Sequence, residues 1–257
     1  MSRIVSWFSA GAASAVATKL ALSQFHYDDI VVARCIVTNE HPDNDRFADD
    51  CAAWFGRPVI NLRSADYADA WAVWEKRRYL NGHAGAPCTL EMKKAPRQIF
   101  EKEYDPDAQV FGFTHEEAKR AERFRQQNPE INLLTPLISA GLTKDDCMGM
   151  LHHAGIKAPA MYGLGFKNNN CRTCVKARSP GYWALVRREF PADFTRMAAL
   201  CRDIGWTPCR ASDDTPIWLD ELDPAWPPQD DSPNIECSLL CYAAEQDINE
   251  ADQKPRD

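Results

Sequence analysis

Apolar positions along the chain switch repeatedly between short extended runs and helical stripes. Residues 3–8 read as a strand carrying Ile4, Val5, Trp7 and Phe8. The small side chains Ser9-Ala10-Gly11-Ala12-Ala13-Ser14 follow, and Ala15, Val16, Ala17, Leu20 and Ala21 then begin a helix with an apolar face. Residues 29–38 form a run with β-branched residues on both faces, as a buried parallel strand requires. It ends in the polar cluster Asn39-Glu40-His41-Pro42-Asp43. A helix over 45–55 stops at Gly56, and 58–62 is a third strand. Helical pattern returns at 65–80 and 90–104, with a Gly/Ala/Pro loop at 82–87 between them. A strand at 109–113, a charged helix at 115–127 and a strand at 131–134 follow. Thr143, with Asp146 three residues on, caps a further helix. This alternation predicts a three-layer α/β/α domain with a mostly parallel twisted sheet of about five strands.

From about residue 158 the pattern changes. Turn-forming residues lead to Cys171-Arg172-Thr173-Cys174, and helices are expected near 183 and over 194–203. Residues 211–235, rich in Pro, Asp and Trp, suggest a covering loop, and 246–257 a polar, frayed end. The expected organisation is a nucleotide-binding domain over 1–165 and a cysteine-containing helical and tail region over 166–257 packing on it. Trp71, Trp74, Trp183 and Trp206 are read as packing residues rather than base-stacking platforms.

The strand, small-residue turn and helix start at 9–14 place several unpaired backbone N–H groups at one point, which suits phosphate or sulfate. Gly11 is expected to supply the positive φ there, and Ser9 and Ser14 add hydroxyls. Glu40 and His41 sit at a strand end where the ribose of a nucleotide could reach them, while Asp43 and Asp45 cap or solvate the next helix.

Composition changes the picture in two respects. A net charge of -7 over 257 residues argues against a protein that mainly coats nucleic acid. No run of about 18 apolar residues occurs, so a cytoplasmic protein with no membrane contact is expected. Ten cysteines in a reducing compartment then read as metal ligands or reactive thiols rather than disulfides. Cys171 and Cys174 have the C-x2-C spacing that chelates one metal or fills two corners of a cluster, with Cys88, Cys237 and Cys241 as candidates for the other ligands. Spacing alone leaves zinc and iron–sulfur open. Cys35 and Cys51 read as buried thiols, and Cys147, Cys201 and Cys209 as structural. The histidines show no metal-binding spacing; His152 and His153 read as helix-surface residues.

Together these pieces resemble the phosphoadenosine-phosphosulfate (PAPS) reductase family, within the adenine nucleotide alpha hydrolases and PP-loop ATP pyrophosphatases (the HUP/PP-loop type), in its divergent phage and prophage form. Residues 9–14 stand where the pyrophosphatase loop reads S-G-G-x-D-S. Cys88 followed by Lys93, Lys94 and Pro96 resembles the family's cysteine–basic–proline stretch. Gly112 with Glu116, Glu117 and Arg120 resembles its glycine–acid–arginine stretch, and Pro136-Leu137 its P-L segment. Tyr162, Gly165, Cys171 and Cys174 match the run ending in C-x-x-C, and Glu236-Cys237 echoes the C-terminal E-C-G motif. The chain departs from these patterns at Ala13, where the pyrophosphatases carry aspartate, at the single Cys88, and at Ser238 in place of glycine.

The resemblance implies an adenine nucleotide, ATP or APS/PAPS, held by Ser9, Ala10, Gly11, Ala12, Ser14, Glu40, His41, Gly112 and Arg120, with Mg2+ on its phosphates. It implies a [4Fe-4S] cluster on Cys88, Cys171, Cys174 and Cys241, with zinc as the alternative. Cys237 would be the nucleophile in sulfonucleotide reduction, or Cys88 if no cluster is present. A thioredoxin-like electron donor and a homodimer are expected with it. The alternatives are an ATP-dependent sulfurtransferase thiolating a tRNA or DNA base, with Arg172, Lys176, Arg178, Arg187 and Arg188 as its basic patch, and a non-catalytic nucleotide-binding module with structural zinc.

Overall fold

The computed structural model describes residues 2–25 and 29–253. In chain order the elements are β1 (Arg3–Trp7), α1 (Ala12–Gln24), β2 (Asp29–Cys35), α2 (Asp43–Phe55), β3 (Val59–Leu62), α3 (Ala70–Arg77), α4 (Pro87–Thr89), α5 (Ala95–Tyr104), β4 (Ala108–Val110), α6 (Ala118–Gln127), β5 (Leu133–Leu134), α7 (Pro136–Ser139), α8 (Lys144–His153), α9 (Ala160–Gly163), α10 (Pro180–Glu189), α11 (Pro191–Ile204) and α12 (Leu239–Asp252). A π-helical turn, Leu90–Lys94, joins α4 to α5, and a 3-10 turn, His115–Glu117, precedes α6.

The five strands form one parallel sheet in the order β3-β2-β1-β4-β5. Ile4 lies level with Ile30 and Ala108, and Trp7 with Ala33. With a period of two, Ile4, Ile30, Val32, Ala108 and Val110 face the layer containing α1, α2 and α8. Val5, Trp7 and Ala33 face Phe100 and Tyr104 of α5. The three-layer α/β/α architecture with a parallel five-stranded sheet is therefore what the alternating pattern predicts, and it is consistent with the HUP/PP-loop type that the resemblance implies.

Helix α1 is the middle of its layer, with α2, α7, α8 and α12 all packed on it. Its small residues follow from that position: ten of its thirteen residues are buried, and only Ala, Ser and Thr at most of them let so many neighbours approach. Lys19 is among the buried residues. Its ammonium donates to the Trp54 carbonyl at 3.0 Å and pairs with the Asp252 carboxylate at 2.8 Å. That pair anchors the far end of α12, so the stretch expected to fray from 246 is helical through Asp252; residues 254–257 lie outside the described ones. A second hydrophobic cluster combines Trp71, Trp74 and Leu80 with Met161, Trp183, Met197 and Leu222.

Several expected elements are shorter. The helix expected over 65–80 starts at Ala70 because the Asp69 carboxylate accepts the Ala72 N–H at 2.8 Å, and it ends where Arg78 turns left-handed. Gly56 stops α2 in the same left-handed conformation. Among the described residues no helix is long and apolar enough to cross a membrane.

Candidate functional site

The turn between β1 and α1 is built differently from the expectation. Gly11 is extended (φ -112°), and Ala10 takes the left-handed conformation, φ +55°. An alanine there costs on the order of 1 kcal/mol relative to glycine, and the conformation is held by its carbonyl, which accepts from Asn169 Nδ2 at 2.5 Å. Ser14 organises the turn from inside the helix. Its hydroxyl oxygen accepts from the N–H groups of Ser9 (3.0 Å) and Gly11 (3.3 Å), and it donates to the Gly11 carbonyl. The Ala12 N–H donates to the Tyr162 hydroxyl at 3.3 Å. The Lys144 ammonium lies 5.2 Å from the centre of the Tyr162 ring and donates to the Lys167 carbonyl and, at 2.8 Å, to Asn168 Oδ1. Burial, with the charge of Lys167 second, lowers Lys144 to about 8. A partly dehydrated ammonium beside a helix start suits an anion.

Gly112 explains how the turn is positioned. A Cβ there would lie 2.7 Å from Ser14 Cα and 2.8 Å from Ser14 N. The chain leaving β4 thus touches the backbone of α1, and only glycine permits it.

Beside the turn is a cleft of about 230 Å³ at the C-terminal ends of β1 and β2, where open α/β sheets bind ligands. Ser9, Ala10, Cys35, Glu40, His41 and Asn44 are among the residues lining it. Arg34, also in the wall, is held by Asn61, the Asn44 carbonyl and Asp45. Asn169 donates to Asn44 as well, which leaves its own Oδ1 buried without a partner. His41 accepts from the Asp43 N–H at 3.1 Å. Arg120 pairs with Glu117 and covers the Phe113 ring, and the structure gives it no contact with the turn.

Glu40 joins the cleft to the cysteines. It takes the Lys93 ammonium at 2.8 Å. Glu40, together with Cys171 and Cys174, keeps Lys93 protonated well beyond its usual range. Cys88, Cys171 and Cys174 come together here from α4 and the C-x2-C loop. That loop is tied to the end of β2 because the Arg172 N–H donates to the Asn39 carbonyl at 3.0 Å, and to α10 because the Cys174 N–H donates to the Tyr182 hydroxyl at 3.0 Å. Burial pushes the Cys171 thiol far up, and the neighbouring Glu40, Cys174 and Cys88 add to it. Burial also raises Cys88, which the indole N–H of Trp74 opposes. Among the described residues that buried N–H makes no ordinary hydrogen bond. Cys35, read as a plain buried thiol, instead lines the cleft and donates to the Lys93 carbonyl at 3.3 Å; burial pushes it up to about 11.

Cys241 does not join this set. It is bonded to Cys237 in a disulfide and packs in the core under α1 and α8, whereas Cys88, Cys171 and Cys174 pack against other clusters. Cys237, expected as a mobile nucleophile, lies against Gly149 on α8. His153 and Glu245 complete a group with these two cysteines, all four ligand atoms lying within 4.8 Å of one another. The signal available in the sequence was the i, i+4, i+8 spacing of Cys237, Cys241 and Glu245; nothing in it pointed to His153.

Three of the five residues of the expected basic patch, Arg172, Arg178 and Arg188, are paired with carboxylates, and Arg187 donates to the carbonyls of Leu222, Asp223 and Pro224. Trp71, Trp74 and Trp183 are buried in the core, as packing residues should be.

The sheet order, the strand-end cleft and the small-residue turn define a three-layer α/β/α protein with a doubly wound parallel sheet, consistent with a HUP/PP-loop-type architecture. No family model matches the chain, and no curated protein matches it. A crystal structure of phosphoadenylyl-sulfate (PAPS) reductase from Candida auris, in a phosphate complex, is similar to it with a TM-score of 0.46 and 12% identity, covering 65% of this chain and 80% of that one.

Proposed function

We propose that the protein is an adenine-nucleotide-binding enzyme of sulfur metabolism, resembling the PAPS reductases. The phosphate or sulfate end of ATP, APS or PAPS would rest on the turn at Ser9–Ser14, under Lys144 and Tyr162, with the nucleoside in the adjoining cleft. The observation that carries this reading is Glu40. One side chain lines the cleft and also holds the lysine that faces Cys171 and Cys174.

Three half-buried cysteines, a cation beside them and an indole N–H facing one of them suit an anionic all-sulfur group. Cys88, Cys171 and Cys174 would hold an iron–sulfur cluster, and Lys93 would offset its negative charge. When bound, such a cluster supplies electron transfer or a coordination position at an iron that no protein thiolate fills. Sulfonucleotide reduction itself needs a thiolate to attack the sulfate sulfur, forming a cysteine S-sulfonate and releasing the adenosine phosphate. A dithiol donor then liberates sulfite and becomes a disulfide. Cys237, bonded here to Cys241, would have to be reduced and leave α8 to perform that attack; Cys88 would take the role only in a protein that carries no cluster. The turn carries no carboxylate for a magnesium ion, since Ala13 occupies that position, which favours a sulfonucleotide over ATP cleavage.

Titration of anaerobically purified protein with ATP, APS and PAPS, alongside iron and sulfide analysis, tests the proposal. A Ser14→Asp variant puts a negative charge in the first turn of α1, where a helix tolerates it and an anion does not. Binding should fall more than about tenfold, and Cys171→Ser/Cys174→Ser should lose the iron. Equal nucleotide binding by wild type and Ser14→Asp, or no binding by either, would refute it.

A further inference from the structure

The strongest group of unassigned side chains lies on the opposite end of the C-terminal helix from the Lys19–Asp252 pair. Gly149 on α8 admits the chain entering α12 so closely that a Cβ would collide with the Glu236 carbonyl. His153, one turn further along the same face of α8, is thereby brought to Cys237, with 3.8 Å between Nδ1 and Sγ. Cys241 and Glu245 are one turn apart on α12, and Cys237, just before its Ser238 cap, is held against Cys241 by the disulfide. Glu245 reaches His153 Nδ1 at 2.9 Å and lies 3.7 Å from Cys241 Sγ. Cys241 is fully buried, Cys237 and Glu245 are half-buried, and His153 is exposed.

We propose that His153, Cys237, Cys241 and Glu245 form a zinc site that staples the start of α12 to the end of α8. Two sulfurs, one imidazole nitrogen and one carboxylate oxygen make a donor set of the kind zinc takes in four-coordinate structural sites. Zinc–ligand bonds of about 2.0–2.3 Å put tetrahedral ligands within roughly 4 Å of one another, so once the two bonded sulfurs part, His153 and Glu245 are already close enough to complete the set. The sulfurs are joined in this structure, so the zinc form is the reduced one. A dithiol gives two electrons and two protons and becomes a disulfide, or a phosphine gives two electrons and becomes its oxide while water supplies the oxygen and the two protons. Either way the Cys237–Cys241 disulfide becomes two thiols, whose protons zinc displaces. The site also accounts for where α12 is held. Leu239, Leu240 and Tyr242 at its start are exposed, with the Tyr242 ring stacked on His153, so a cross-link there complements the ion pair at its other end.

The test uses the full chain in a Cys171→Ser/Cys174→Ser background, so that the other thiol set contributes no zinc site, reduced with a phosphine and freed of metal. Titration with zinc alone should give about one equivalent per chain. His153→Ala with Glu245→Gln should weaken it more than about tenfold, and Cys241→Ser should abolish it. Cobalt substitution should give a thiolate charge-transfer band that Cys237→Ser halves. Since a Cys241 variant can fail to fold, the partly exposed His153/Glu245 pair is the decisive arm. No zinc uptake by the reduced protein, or equal uptake by the His153→Ala/Glu245→Gln variant, overturns the proposal and leaves a disulfide beside a surface ion pair. Either result is independent of nucleotide binding.

Discussion

Replacing Gly112 with alanine is the most direct probe of how the turn is held. Its Cβ would stand 2.7 Å from Ser14 Cα, where ordinary contact begins at 3.4 Å, so something must yield by about 0.7 Å (3.4 − 2.7). The atoms in the way are the backbone of Ser14 and Ala13, not a flexible side chain. Helix α1 cannot retreat easily, because α2, α7, α8 and α12 surround it. Overpacking of this kind costs about 1–3 kcal/mol. The same substitution stiffens the unfolded chain and returns about 0.4–1 kcal/mol, so a net loss of about 1–2 kcal/mol is expected. For a chain of this size that lowers the melting temperature by about 2–8 °C. The displaced turn should also bind nucleotide more weakly. Gly163→Ala is the control: nothing lies within 4 Å of its Cβ, and its stability should stay within about 0.5 kcal/mol of wild type. Urea unfolding followed by tryptophan fluorescence, with nucleotide titration on the same samples, measures both effects. If Gly112→Ala matched the control in stability and affinity, the close approach of β4's exit to α1 would not be what positions the turn.

Two further outcomes follow from titrating groups. Lys144, lowered to about 8 by burial and by Lys167, should lose its charge as pH rises through that value. Nucleotide affinity should therefore fall above pH 8, and binding near pH 8–9 should take up a proton, which calorimetry in two buffers of different ionisation enthalpy detects; Lys144→Met should remove both signals. Without ligand the sign for stability is opposite. The unfolded chain binds the extra proton between about 8 and 10.5, so Lys144's contribution rises with pH across that interval. Asp146 behaves as a depressed carboxylate. Burial would raise it, but hydrogen bonds from Thr143 and Ser238 outweigh that and hold it below 3.8. Its stabilisation is present above 3.8 and is lost as pH falls through the folded value. Asp146→Asn should cost about 0.5–2 kcal/mol at pH 7 and flatten the acid limb of a stability–pH curve; an unchanged limb would refute the assignment.

What could be read from the sequence was local. The cap of α8 is written within four residues, and Thr143 and Asp146 make it as expected, the Asp146 N–H donating to the Thr143 hydroxyl at 3.1 Å. The turn at Gly56 and the order of strands and helices are equally short-range signals. What escaped depends on partners far along the chain. Ala10, not Gly11, is left-handed because Asn169, 159 residues away, holds its carbonyl. The last helix is continuous because Asp252 meets Lys19 across 233 residues. His153 becomes interesting only beside Cys237, 84 residues on.

The same distinction changes the weight of the small-residue stretch itself. Alanines and serines from 10 to 17 suggested room for a ligand, yet most of them are buried against protein, where α1 needs them for its own packing. Gly11 could carry a methyl group, with its nearest neighbour, the Tyr162 hydroxyl, at 3.4 Å. Small side chains there are therefore explained without any ligand. The case for an anion rests instead on groups that packing does not require: a half-dehydrated Lys144 over Tyr162, a buried Asn169 oxygen left unpaired, and a Glu40 that opens onto the cleft while holding Lys93 beside the thiols. Each of these has a cost to the free protein, in desolvation or in a missing hydrogen bond. A bound anion would relieve the first by restoring charge compensation around Lys144, and the proton taken up at pH 8–9 is the direct measure of that relief.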